Sequence, residues 1–159
     1  MRTVSACFLL AISLFIASSH PSAQSVQLTI LLERMYLDGQ VSEEIRKETV
    51  TSMHEIWKKY SDWQLVDFDD KQIVFQKAIN DISPLAKANG YFGLTKDGTL
   101  SIFEGKPTPS SRIIQSFFQI DVKKLESRKQ QQLKKGIRVV SKARYEDILA
   151  AYRPFALTD

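Results

Sequence analysis

NDISPLAKANGYFGLTKDGTLSIFEGKP, residues 80–107, reads as a short helix that runs straight into a tight hairpin. Ser83 suits an N-cap, and Pro84 suits the first helical position, where its missing N–H has no intrahelical bond to lose. Gly90 is expected to stop that helix in the left-handed conformation. Tyr91 to Leu94 and Thr99 to Phe103 are β-rich runs around Thr95-Lys96-Asp97-Gly98, whose Asp-Gly pair tolerates positive φ. Four of the six glycines fall in this stretch, and the character of the chain changes across it.

Residues 24–80 hold 7 Lys/Arg against 10 Asp/Glu, whereas residues 81–159 hold 14 against 8, so the overall charge of +4 conceals an acidic half and a basic half. A chain of 159 residues has room for one ordinary domain or two small ones, and the charge asymmetry favours two. The expected division is a leader at 1–23, a first domain at 24–80 and a second at 81–159. Met1-Arg2 followed by the apolar run at 6–17 and the small, polar residues at 18–23 has the build of a signal peptide. Cleavage after Ser19 puts Ala17 at the −3 position; cleavage after Ala23 would put Pro21 there, which is poor. The apolar run is shorter than the about 20 residues a membrane span needs, so no stable span is expected. The sole cysteine, Cys7, lies inside that run, and the exported chain is expected to carry no disulfide and no thiolate metal site.

Upstream of the hinge, Val26, Leu28, Ile30 and Leu32 alternate onto one face of a strand, and Asp38-Gly39 signals a two-residue hairpin turn into a second strand over 40–50. Met53, Ile56, Trp57 and Tyr60 then recur at helical spacing, with Ser52 and Glu55 placed for a capping box. Two more strands, at 63–67 and 72–78, flank a turn at Phe68-Asp69-Asp70-Lys71. The order strand, strand, helix, strand, strand is the ββαββ plan of a protein-G-like, or β-grasp, domain, with Trp57 and Trp63 expected in its core. Downstream, residues 113–120 form a third strand, Asp121 caps a helix over 122–135 that Gly136 ends, and Ser141 opens a last helix with Tyr145, Ile148, Leu149 and Tyr152 facing inward. The fold class is therefore α+β, with a second domain of three strands and three helices.

The residues offer little catalytic chemistry. His54 falls off the apolar stripe of its helix, and there is no nucleophile elbow, zinc-protease motif, P-loop or dinucleotide glycine pattern. No carboxylate pair stands out for glycoside cleavage, and Asp67, Asp69 and Asp70 lack the rest of a calcium loop. No cofactor or metal is expected. Binding is the better-supported class, since small sheets leave edges open to extended peptides and the basic half can steer an acidic partner. The loop from Glu104 to Ser111, stiffened by Pro107 and Pro109, is the candidate contact, with Glu104, Lys106, Pro107 and Arg112 as its named residues.

Several stretches together resemble the bypass-of-forespore C family of endospore-forming bacteria: Tyr36-Leu37-Asp38-Gly39, Trp63-Gln64-Leu65-Val66, Asp81-Ile82-Ser83-Pro84-Leu85, Asn89-Gly90-Tyr91, Phe103-Glu104-Gly105-Lys106-Pro107 and Ile114-Gln115-Ser116-Phe117-Phe118-Gln119-Ile120-Asp121. With Asp97-Gly98-Thr99, Leu125-Glu126-Ser127 and Leu133-Lys134-Lys135-Gly136-Ile137, they span roughly residues 26–150. The resemblance implies a non-enzymatic protein exported from the forespore into the space between the two membranes around the developing spore. It implies a partner too, the PDZ-containing signalling serine peptidase known as stage IV sporulation protein B. Binding would hold back that peptidase's self-cleavage and delay processing of pro-sigma-K, as a negative regulator of the sigma-K checkpoint. A monomer that binds no nucleic acid is the accompanying expectation. The alternative is an envelope-polymer or nucleic-acid binder acting through the basic second domain.

Overall fold

The computed structural model describes residues 25–157, so the leader expected at 1–23 lies outside the described residues. The fold is α+β and holds two sheets of four strands.

The first sheet is built from β1 (Val26–Met35), β2 (Val41–Val50), β3 (Gln64–Phe68) and β4 (Gln72–Ala78), with α1 (Met53–Lys59) between β2 and β3. Its spatial order is β2-β1-β4-β3, antiparallel except for the central β1–β4 pair, which is parallel. Alternation explains which face is covered. Leu28, Ile30 and Leu32 of β1 and Ile73 and Phe75 of β4 all turn toward Ile56 of α1 and Tyr60 at its C-terminal cap. Tyr60 stacks on Phe75 with ring centroids 4.8 Å apart. The expected tryptophan core is corrected here: Trp57 is 38% exposed and lies edge-on to Phe68 and Phe75, and Trp63 is partly buried with Arg34 and Lys77 over its ring. Both rim the core because Tyr60 and Phe75 already fill its centre.

Two local readings also change. The β1–β2 turn is a three-residue loop, because Gly39 N–H donates to Tyr36 O and Tyr36 N–H to Gln40 O, with Gly39 at φ +73° as the left-handed bulge residue. The capping box does not close: Ser52 Oγ accepts from His54 N–H, and the Glu55 carboxylate takes the Thr51 hydroxyl instead.

The second sheet contains β5 (Gly90–Leu94), β6 (Thr99–Glu104), β7 (Ile113–Gln119) and the two-residue β8 (Ile137–Arg138), in the order β7-β6-β5-β8 and antiparallel throughout. It therefore has four strands where three were expected. Two of its helices are α2 (Pro84–Asn89) and α4 (Lys142–Tyr152), capped by the hydroxyls of Ser83 and Ser141. The helix expected over 122–135 is broken. A 3-10 turn at Val122–Lys124 precedes α3 (Ser127–Lys135), with Leu125 and Glu126 extended between them. The break lets Leu125 enter the core beside Leu133; Gln130 Nε2 donates to Leu125 O and also to Val122 O, which already accepts the Leu125 N–H. Gly136 ends α3 at φ +84°, as its position suggests.

Gly90 does not stop α2 in the left-handed region; at φ −80° and ψ 137° it opens β5. Its glycine requirement is one of space, because a Cβ there would lie 2.5 Å from Ala86 O. The core of this unit joins Phe92, Leu100 and Ile102 of the sheet to Ile82, Ala86, Tyr145, Ile148 and Tyr152 of α2 and its approach and α4.

Candidate functional site

The loop joining β6 to β7 is pinned along its length. Glu104 N–H donates to Arg112 O, extending the ladder by one rung, and Gly105 N–H donates to Asn89 O at 2.7 Å. Ser111 Oγ donates to Lys106 O and accepts from Thr108 N–H, closing a small ring of short side chains. Of the four residues expected to make the contact, Glu104 and Arg112 meet in an ion pair of 2.6 Å, on the strand ends. Pro107 turns inward. It seats against Gly93 of β5 and Gly136 after α3, so closely that a Cβ on either glycine would fall 2.4 or 2.5 Å from the proline ring. Lys106 is exposed and joins no ion pair among the described residues.

Beneath this loop is an open cleft of about 580 Å³. Leu94, Phe103, Pro107, Ile113 and Leu133 give it an apolar floor, and Lys96 and Lys134 stand among its polar lining. Asp97 lines it as well, and hydrogen bonds from the Thr95 and Thr99 hydroxyls stabilise its ionised carboxylate and hold it below its ordinary 3.8, so it keeps its negative charge. Of the expected residues, Pro107 lines the cleft, while Glu104, Lys106 and Arg112 stand outside its lining.

Among the described residues, no group of three His, Cys, Asp or Glu side chains is arranged to hold a metal ion. His54 is exposed near the start of α1, where its backbone N–H serves the cap.

A second constellation was not foreseen. The β1–β2 turn inserts between α2 and α4, and its Asp38 is fully buried. Asp38 accepts from Ser83 N–H at 3.1 Å and from Ser83 Oγ–H at 2.5 Å, while Ser83 Oγ in turn accepts from Ala86 N–H. Tyr145 of α4 donates its hydroxyl to Leu37 O at 3.0 Å, Leu37 N–H donates to Asp81 O at 2.9 Å, and Gln40 Nε2 reaches Ile114 O. Burial, followed by the nearby carboxylates of Asp38 and Glu146, pushes the Tyr145 phenol up to about 12, so it remains a donor across the physiological range. Nothing in local periodicity marks these residues. Only the joint presence of Tyr36-Leu37-Asp38-Gly39 and Asp81-Ile82-Ser83-Pro84 hints that the two stretches answer each other.

The same two halves are matched by two family models. Residues 28–78 match the model described as Bypass of Forespore C, N terminal, and residues 80–154 match the BofC C-terminal domain. The chain is also 44% identical over 133 residues to Protein BofC of Bacillus subtilis (strain 168), covering 84% of this chain and 78% of that protein. The chain belongs to the BofC family. Membership identifies it with sporulation regulation, and with a regulatory rather than an enzymatic family. Among the described residues of this BofC family member, no helix is long and apolar enough to cross a membrane.

Proposed function

We propose that this chain is an exported negative regulator that binds the sporulation signalling serine peptidase of the stage IV sporulation protein B type, restrains its self-cleavage and so delays pro-sigma-K processing. The observation that carries this reading is the identity to Protein BofC, which extends through both units rather than one. The strand order β2-β1-β4-β3, with one helix inserted between hairpins, supports taking residues 24–80 as a protein-G-like domain and 81–159 as its α+β companion. The protein would work as a monomer without a cofactor, in the space between the forespore and mother-cell membranes. It would act by occupying a surface or domain of the peptidase.

The test is a reconstituted self-cleavage assay of the peptidase with and without the purified exported chain. Dose-dependent slowing without consumption of the added protein is the expected result; no slowing, with complex formation also absent, would overturn the reading. Lys106→Glu combined with Arg112→Glu is expected to weaken inhibition about tenfold, or roughly 1.4 kcal/mol of binding free energy. Unchanged inhibition would remove the β6–β7 loop from the interface.

The alternative has an observation of its own. Lys123, Lys124, Arg128, Lys134 and Lys135 are exposed on the 3-10 turn and α3, and of these only Lys124 has an ion-pair partner among the described residues, Asp121 at 3.4 Å. If an anionic polymer were the partner, retention on wall polymer or DNA would survive moderate salt and fall with a steep logarithmic slope.

A further inference from the structure

β7 is the outer strand of its sheet, so one side of its backbone has no strand beside it. Among the described residues, that side is hydrogen-bonded to other elements at its ends. Gln40 Nε2 donates to Ile114 O at 3.3 Å, and Leu157 N–H donates to Gln119 O at 2.8 Å beside the antiparallel bridge between Ile120 and Ala156. Between these ends the register slips. Thr99 faces Gln119 but Ser101 faces Ser116, so Phe117 and Phe118 together oppose Leu100. A bulge of this kind re-aims side chains, and both phenylalanines lie partly buried against the same core. With Leu149 and Ala150 of α4 they form an open groove of about 520 Å³, at whose border Arg153 lies 5.5 Å over the Phe118 ring. Arg153 pairs with no carboxylate among the described residues.

We propose that this groove takes an extended segment of a protein partner, added to β7 as a further strand, that carries an apolar residue and, two positions along, an Asp or Glu. Each part of that motif answers a feature of the groove. The Gln119 end shows that this strand edge already accepts an antiparallel chain through backbone hydrogen bonds. The aromatic and aliphatic floor receives one apolar side chain. Side chains two apart in a strand share a face, which brings the acidic one to the guanidinium of Arg153, where a two-pronged contact to a carboxylate is geometrically favoured. The surplus of positive charge in residues 81–159 draws such a segment in. A phosphate polymer would use the guanidinium but could not use the strand edge.

The probe is a fluorescent, end-blocked heptapeptide of sequence Thr-Thr-Val-Thr-Glu-Thr-Thr, compared with the same peptide bearing Lys in place of Glu. Binding to the full exported chain is read by anisotropy and by backbone amide shifts. The expected result is shifts centred on Ser116–Phe118 and Leu149–Arg153 and about tenfold weaker binding of the Lys peptide. Arg153→Glu should reverse that preference, and Ala150→Trp, which fills the groove from an exposed position, should abolish binding without changing thermal unfolding. Absence of shifts at these residues with millimolar peptide, shifts confined to the cleft under Pro107, or an unchanged preference in Arg153→Glu would each overturn the proposal. No peptidase is present, so failure here leaves the proposed function standing.

Discussion

Tyr60 shows how one side chain ties stability to pH in this protein. Its ring is buried in the first core while its hydroxyl donates to Glu48 Oε1 at 2.5 Å, and Lys59 reaches the same carboxylate oxygen at 2.7 Å. Burial, then the adjacent Glu48 carboxylate, pushes the Tyr60 phenol up from 10.0 to about 12. Tyr145 is raised equally. A phenol whose folded pKa is raised stays neutral in the fold while the unfolded chain ionises. Its contribution is therefore intact below pH 10 and is lost as pH climbs toward 12. Thermal unfolding followed from pH 8 to 12 is expected to show Tm falling through that window, and the double variant Tyr60→Phe, Tyr145→Phe should fall less steeply than the parent. Glu48 acts at the other end. Burial raises its pKa, but the hydrogen bonds from Lys59 and Tyr60, with the positive charges of Lys59 and Arg46, outweigh burial and leave it below the ordinary 4.5. Its contribution is present above the unfolded value and lost as pH drops through the folded one. Glu48→Gln should therefore lower stability at pH 7 and flatten the acid limb below pH 4.5.

At the scale of elements, the tightest feature is the wedge of Pro107 between β5 and the end of α3. Gly93 has an ordinary negative φ, so its need for glycine is set by the proline ring and Leu133 O rather than by backbone conformation. Gly93→Ala should cost about 1–3 kcal/mol through overpacking. Pro107→Ala removes the ring, and the double variant should recover part of the Gly93→Ala loss. A coupling energy near zero in this cycle, measured by urea unfolding, would show that the Cβ retained at residue 107 and Leu133 O set the constraint rather than the rest of the proline ring. The expectation that Pro107 contacts a partner thus meets a residue that holds elements together. Such differences mark where local sequence stops being informative. Alternation in β1, the Ser83-Pro84 start of α2 and the Asp97-Gly98 turn are local signals, and each element stands where they put it. β8 is only two residues long and exists because β5 offers it a partner far away in sequence, so no periodicity announces it. The break after Val122–Lys124 depends on Gln130 reaching back to two carbonyls, a tertiary event that a helix-forming composition conceals. The β7 groove depends on strand order, which the sequence does not state.

Across the whole molecule, the two cores are separate clusters, and the turn carrying Asp38 is the piece of one unit that is buried in the other. An aspartate beside glycine in a hairpin reads as a solvated turn former; here its carboxylate is enclosed and satisfied by both donors of Ser83. Removing the carboxylate leaves the Ser83 backbone N–H buried without its acceptor, a loss of about 1–3 kcal/mol. It also loosens the N-terminal cap of α2, so the damage falls on the junction rather than on either core. Both tryptophans of the chain, Trp57 and Trp63, lie in the first unit, so fluorescence follows that unit alone while far-ultraviolet circular dichroism follows both. In the parent protein the two thermal curves should coincide, because the Asp38 and Tyr145 bonds make the units unfold together. In Asp38→Ala they should separate, with Asp38→Asn intermediate because an amide oxygen can still accept from Ser83. Exposed Asp70→Ala serves as the control and should leave the curves superimposed. If the curves of Asp38→Ala still coincide at a lowered Tm, the buried carboxylate stabilises the turn without coupling the units. The bonds from Leu37 to Asp81 and from Gln40 to Ile114 would then have to carry the coupling.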